Sequence, residues 1–130
     1  SYPVAGECSG KIRVMLVDDH PVYRESLSRI LNSLSDMEVV SEACDGEAAV
    51  LLTRETDPDV ILMDINMPNM NGLEATRIIH SESPRIRIIG LSMYEGHEQA
   101  AAMLDAGASA YRSKSENIDL LLSTIRGAVP

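Results

Sequence analysis

From Lys11 onward, short apolar runs alternate with stretches whose apolar residues recur at helical spacing, and the alternation repeats five times. Ile12 to Val17, Val60 to Met63 and Arg85 to Leu91 are close to continuous apolar runs, as in strands covered on both faces. Met37 to Ala43 and Ser109 to Arg112 carry more polar residues, which suits strands at the sheet edges. Between the strands, Leu27, Ile30, Leu31 and Leu34 mark one helical face, and Ile118, Leu121, Leu122 and Ile125 mark another. Shorter faces of the same kind appear at Ala48, Leu51 and Leu52, at Ala75, Ile78 and Ile79, and at Ala100, Met103 and Leu104. Pro21 suits a first helical turn, Gly107 a helix C-terminus, and Pro58 follows the second helix. The pattern predicts an α/β domain of five βα units, and right-handed crossovers restrict it to a few doubly wound parallel sheets. Residues 1–10, with Pro3, Gly6 and Gly10 and no periodicity, read as a tail or linker, leaving residues 11–130 as one domain.

Composition narrows the function. At 130 residues and 45% hydrophobic content, the chain can bury a core without disulfide staples. With four Tyr, no Phe and no Trp, that core is expected to be aliphatic and filled by Met, and little aromatic surface is left to stack on bases or cover a flavin. A formal charge of −9 opposes a phosphate backbone, so direct nucleic-acid binding by this segment is not expected. No apolar run exceeds five residues, against the roughly 18 of a membrane span, and the N-terminus lacks signal-peptide regions. Cys8 and Cys44 share no metal or redox spacing and read as reduced cytoplasmic thiols. The opening residue, Ser1, fits a piece processed or excised from a longer chain.

In open α/β sheets, ligands bind outside the carboxyl ends of the strands. There the first strand ends in Asp18 and Asp19, the third in Asp64 and the fourth in Ser92, while Lys114 follows the fifth. Crowded carboxylates repel unless a cation or proton intervenes, and a hard divalent ion such as Mg²⁺ is the natural remedy. A carboxylate, a bound Mg²⁺, an ammonium and a hydroxyl together suit a phosphoryl group, with Asp64 as nucleophile. An Asp after a strand is also a common helix cap or turn residue. It is the joint placement on four strand ends that points to chemistry.

These residues resemble a known family. Val17-Asp18-Asp19-His20-Pro21, Leu62 to Gly72, Leu91-Ser92-Met93 and Ala106 to Lys114, in that order, are similar to the CheY-like receiver domain of two-component response regulators, nearest the LuxR/NarL type. The resemblance covers about residues 11 to 128. It implies a flavodoxin-like sheet in order 2-1-3-4-5 with five helices, and Asp64 as phosphoacceptor. It also implies Mg²⁺ (or Mn²⁺) held by Asp18, Asp19, Asp64 and the backbone carbonyl of Asn66. Ser92 is then the hydroxyl that bonds the phosphoryl group, Lys114 its ammonium partner, and Tyr111 the aromatic switch. From sequence alone Tyr111 is equally a half-buried edge-strand residue. The implied partners are a histidine kinase or phosphotransfer protein, a second copy in a phosphorylation-dependent homodimer, and a DNA-binding effector domain outside residues 1–130. The protein would catalyse phosphorylation and dephosphorylation only on itself.

The chain departs from the family pattern at Ala110, Arg112 and Ser113, which puts its output surface in question, and at Ser115, where many receivers have Pro. Met93 is bulkier than the usual residue beside Ser92. Asn66 and Tyr94 occupy positions that resemble tuners of dephosphorylation. Among alternatives, a cobalamin motif begun by Asp18 and His20 lacks its Gly at Tyr23, and a flavodoxin reading lacks a hydroxyl-rich phosphate loop. A haloacid-dehalogenase-like phosphatase shares the strand-end Asp, hydroxyl and Lys, but has an acid where this chain has Asn66. A docking receiver that never accepts phosphate would have lost an acid or the Lys. His80 and His97 read as solvated surface residues.

Overall fold

The computed structural model describes residues 10–67, 69–93 and 97–130, the side chain of His97 excepted. Five strands alternate with five helices: β1 Ile12–Val17, α1 Pro21–Ser33, β2 Met37–Ala43, α2 Gly46–Thr56, β3 Val60–Asp64, α3 Gly72–Glu82, β4 Arg87–Ser92, α4 His97–Ala106, β5 Ala110–Ser113 and α5 Ile118–Ala128. The strands form one sheet, β2-β1-β3-β4-β5, all parallel, in the order the resemblance implied.

The continuous apolar runs follow from burial on both faces. Successive strand residues point to opposite sides. Val14, Leu16, Val60, Leu62, Ile89 and Leu91 therefore pack with Leu27 and Leu31 of α1 and Leu121, Leu122 and Ile125 of α5. The alternate residues Met15, Val17, Ile61, Met63 and Ile88 pack with Ala49 and Val50 of α2, Ala75 and Ile79 of α3, and Met103 of α4. Met15, Met37 and Met63 are among the largest fully buried side chains, so methionine fills the volume that aromatic residues often take.

Several expectations shift. The fourth strand starts at Arg87 and not Arg85, because the Ile86 N–H is taken by the Ser83 carbonyl in a turn. The fifth runs Ala110–Ser113, one residue later than its pattern suggested. The core face of α2 is Gly46, Ala49, Val50 and Thr53, with the expected Ala48 and Leu52 packed at its margin and Leu51 exposed, and Leu104 of α4 and Ile30 of α1 also face outward. Pro21 does occupy the first turn of α1. Gly107 ends α4 at φ +117°, as expected of a helix C-terminus, and a Cβ there would meet the ring of His80 at 2.4 Å; His80 itself is exposed, as its surface reading expected. Cys44 is exposed just beyond β2. Cys8 and the rest of residues 1–9 lie outside the described residues. No helix among the described residues is long and apolar enough to cross a membrane.

Candidate functional site

Parallel pairing brings the candidate residues to one edge. Val17 pairs with Met63, so Asp18 and Asp64 follow side by side. Asp64 pairs with Leu91 and Ser92 with Ser113, and the Lys114 N–H donates to the Ser92 carbonyl at 2.7 Å. Asp18 is fixed by its own N–H to the Ala43 carbonyl at 3.0 Å and by Arg24, whose Nη1 donates to the Asp18 carbonyl at 2.6 Å. Behind Asp64, α3 begins at Gly72, where a Cβ would stand 2.1 Å from the Asp64 carbonyl oxygen. Only glycine lets that helix start so close to the third strand end.

The site is buried and charged. Asp64 is 1% exposed and Asp18 3%. Lys114 Nζ sits 2.6 Å from Asp18 Oδ2 and 3.5 Å from Asp64 Oδ2, on a side chain that is itself 2% exposed. It lies 4.8 Å from the ring centroid of Tyr23, which shields it and adds a cation–π attraction. Burial pushes the Asp64 carboxyl up to about 6, with Asp18 and Asp19 adding to the rise against the pull of Lys114 and the Asn66 N–H. Burial, then the charges of Asp18 and Asp64, push the Tyr23 hydroxyl up to about 12. The Asn66 backbone N–H reaches Asp64 Oδ1 at 3.2 Å, while its side chain is exposed.

Three carboxylate oxygens, Asp18 Oδ2, Asp19 Oδ1 and Asp64 Oδ2, are buried without a hydrogen-bond donor. The Lys114 contact to Asp18 is close, but it is an ion contact off the hydrogen-bond angle. Buried anionic oxygens left open in this way are the donor set a hard cation takes. Asp18, Asp19, His20 and Asp64 offer ligand atoms that all lie within 4.8 Å of one another, so this acidic cluster fits a divalent metal.

Sequence reasoning placed His20 in the receiver-like motif and in a cobalamin motif that fails, but gave it no role at the site. The structure places His20 Nδ1 2.9 Å from Asp18 Oδ1, 3.3 Å from Asp19 Oδ1 and 3.7 Å from Asp64 Oδ2. Its adjacency to the acid pair was the available signal; Tyr23, in the first turn of α1, had none. Gln99 of α4 was also missed. Its Oε1 accepts from the Ser92 hydroxyl at 3.3 Å and from the Tyr111 hydroxyl at 3.4 Å. Tyr111 is half-buried against the α2–α3–α4 side of the core. On either side of Lys114, the Ser113 and Ser115 hydroxyls bond at 2.7 Å, the Ser113 N–H donates to Glu116, and the described residues hold no cis peptide. Arg112 bonds Thr124 of α5 through Nε. Met93 is largely exposed. Tyr94 lies outside the described residues.

A family model described as "response regulator receiver domain" matches residues 14–126. The chain is 40% identical over 116 residues to the transcriptional regulatory protein DegU of Brevibacillus brevis, covering 89% of this chain and 49% of that protein. It thus spans about half the length of the curated relatives it matches. Among solved structures, the response regulator domain of Thermotoga maritima CheB is 39% identical with a TM-score of 0.85, covering 91% of this chain and 96% of that one. A two-component response regulator of the LuxR family from Aurantimonas sp. SI85-9A1 is 37% identical with a TM-score of 0.82, covering 90% and 86%.

Proposed function

The chain belongs to the response regulator receiver domain family, and from that premise we propose that it is a phosphorylation-activated switch with Asp64 as phosphoacceptor. The observation that carries this is a buried Asp64 oxygen left without a hydrogen-bond donor, 3.5 Å from Lys114 Nζ and beside two further carboxylates. A carboxylate so placed is a nucleophile at the open rim of a sheet. Its oxygen attacks phosphorus as the bond to the donor's leaving group breaks. The leaving group, an imidazole on a histidine kinase or phosphotransfer protein, departs with the electron pair and Asp64 becomes an acyl phosphate. Water later attacks the same phosphorus and returns the carboxylate and inorganic phosphate.

Asp18, Asp19, Asp64 and the Asn66 carbonyl would hold Mg²⁺ or Mn²⁺, which lowers the charge penalty on the transferring group. Lys114 pairs with a phosphoryl oxygen once Asp64 no longer carries the carboxylate it faces. The Ser92 hydroxyl donates to another. Tyr111 follows Ser92 and alters the surface of α4, β5 and α5. That surface is the one we assign to a phosphorylation-dependent homodimer or to a DNA-binding effector outside this chain. Residues 11–130 are the receiver unit, in a cytoplasmic protein whose only chemistry is on itself.

The test is intact mass after incubating the purified chain with Mg²⁺ and acetyl phosphate. One added phosphoryl mass is expected in the wild type and none in Asp64→Asn. No added mass in the wild type, or mass retained in the variant, refutes the assignment. Multiple turnover on phosphomonoesters would replace it with a phosphatase.

A further inference from the structure

We infer that Gln99 is a positioning residue that latches the unphosphorylated state, its side-chain oxygen holding the Ser92 and Tyr111 hydroxyls together. The inference rests on the phosphoacceptor reading above and names how that site is coupled to the surface. Both hydroxyls donate to the same atom, Gln99 Oε1, at 3.3 and 3.4 Å. They come from neighbouring strands, β4 and β5, while the acceptor sits on α4. One amide oxygen with two lone pairs therefore ties two strands to the helix that packs over them.

The logic lies in the proton count. A serine hydroxyl has one proton to donate. While Gln99 accepts it, it is not available to a phosphoryl oxygen on Asp64. A dianionic phosphoryl group is the stronger acceptor, since charge-assisted bonds are roughly twice as strong as neutral ones. Phosphorylation thus draws the Ser92 proton off Gln99 and leaves the amide oxygen holding Tyr111. The amide has somewhere to go. A cavity of about 160 Å³ lies between the β3–α3 loop and α4, with Asn66, Asn71 and Gln99 on its wall, so a released carboxamide can swing toward polar groups without entering the apolar core. Tyr111 is held from the other side, its Cδ1 only 3.1 Å from where a Cβ on Gly90 would stand, beside Met103. Movement at Gln99 is thereby passed to a ring wedged between β4 and α4.

The experiment uses the whole chain, with beryllofluoride and Mg²⁺ as the phosphoryl probe, and follows the amide resonances of Ser92, α4 and Tyr111. Gln99→Met keeps the length of the side chain and removes the acceptor. Losing one competing hydrogen bond is expected to tighten beryllofluoride binding about fivefold, and to shift the unliganded α4 and Tyr111 resonances part of the way toward their bound positions. Gln99→Glu, a stronger acceptor for the same hydroxyls, is expected to weaken binding by at least as much. A purely structural Gln99 would give equal or weaker binding in both variants, with resonances unmoved along the activation direction, and that result overturns the latch. If wild type and variants all fail to gain phosphoryl mass from acetyl phosphate, the phosphoacceptor reading falls instead, so the two failures are distinguishable. Urea unfolding of each variant confirms that it is folded. Should Gln99→Met fail to fold, Tyr111→Phe removes the second arm, and Gln99→Glu in that background must still weaken binding or the latch is refuted.

Discussion

Replacing Asp64 by Asn should make the metal-free protein more stable at neutral pH, because the folded chain holds an ionised carboxylate where burial opposes it. Burial lifts the Asp64 carboxyl from 3.8 to about 6. At about 1.4 kcal/mol per tenfold change in proton affinity, the buried anion costs about 3 kcal/mol once the pH is well above 6. The sign follows from proton counting. Between 3.8 and 6 the folded state binds more protons than the unfolded one, so stability falls as pH rises through that window and the full penalty is present above it. Asn keeps an acceptor oxygen for the Asn66 N–H, and Lys114 keeps its contact with Asp18. The Asp64→Asn gain should therefore be about 2–3 kcal/mol at pH 8 and shrink to about 1 kcal/mol by pH 4.5. Urea titrations of both proteins in EDTA, followed by far-ultraviolet circular dichroism, measure it. A variant no more stable than wild type at pH 8, or a gain that does not shrink on acidification, refutes the argument.

Three further outcomes follow from the same geometry. Lys114→Met leaves Asp18 and Asp64 facing each other without their ammonium, and should cost about 2–4 kcal/mol in metal-free urea titrations at pH 8. Mg²⁺ at a hundredfold excess over its dissociation constant should stabilise the wild type by about 2.7 kcal/mol. The effect should disappear in Asp18→Asn/Asp19→Asn, and melts that are identical with Mg²⁺ and with EDTA would exclude the metal. Gly72→Ala should destabilise by about 2–4 kcal/mol, although Ala favours the helix by about 1 kcal/mol, because its Cβ would overlap the Asp64 carbonyl. Urea midpoints give the loss, and a stabilised variant would show that α3 can move away from the strand end.

The positions of the acids and the lysine were legible because a parallel sheet forces them together. Once Ile12–Val17 and Val60–Asp64 are adjacent strands, residues 18 and 64 have no choice of edge, and the charge types then specify the chemistry. What the sequence left hidden depends on helix rotation. In α2, Ala48, Leu51 and Leu52 are as regular an apolar set as Ala49, Val50 and Thr53. The structure buries the second set and leaves Ala48 and Leu52 packed at the margin of the same core with Leu51 outside, because small Ala49 lies against a sheet already filled by Met15, Ile61 and Met63. In α4 the same ambiguity turned Leu104 outward while Met103 went in. Gln99 lies one turn before Met103 on that helix, so the rotation that buries Met103 also aims the carboxamide at Ser92 and Tyr111. Strand ends can be read from a chain because the sheet fixes their direction. Contacts that carry a signal from a strand end to a helix depend on packing volumes summed over both faces, which no single stretch of sequence contains.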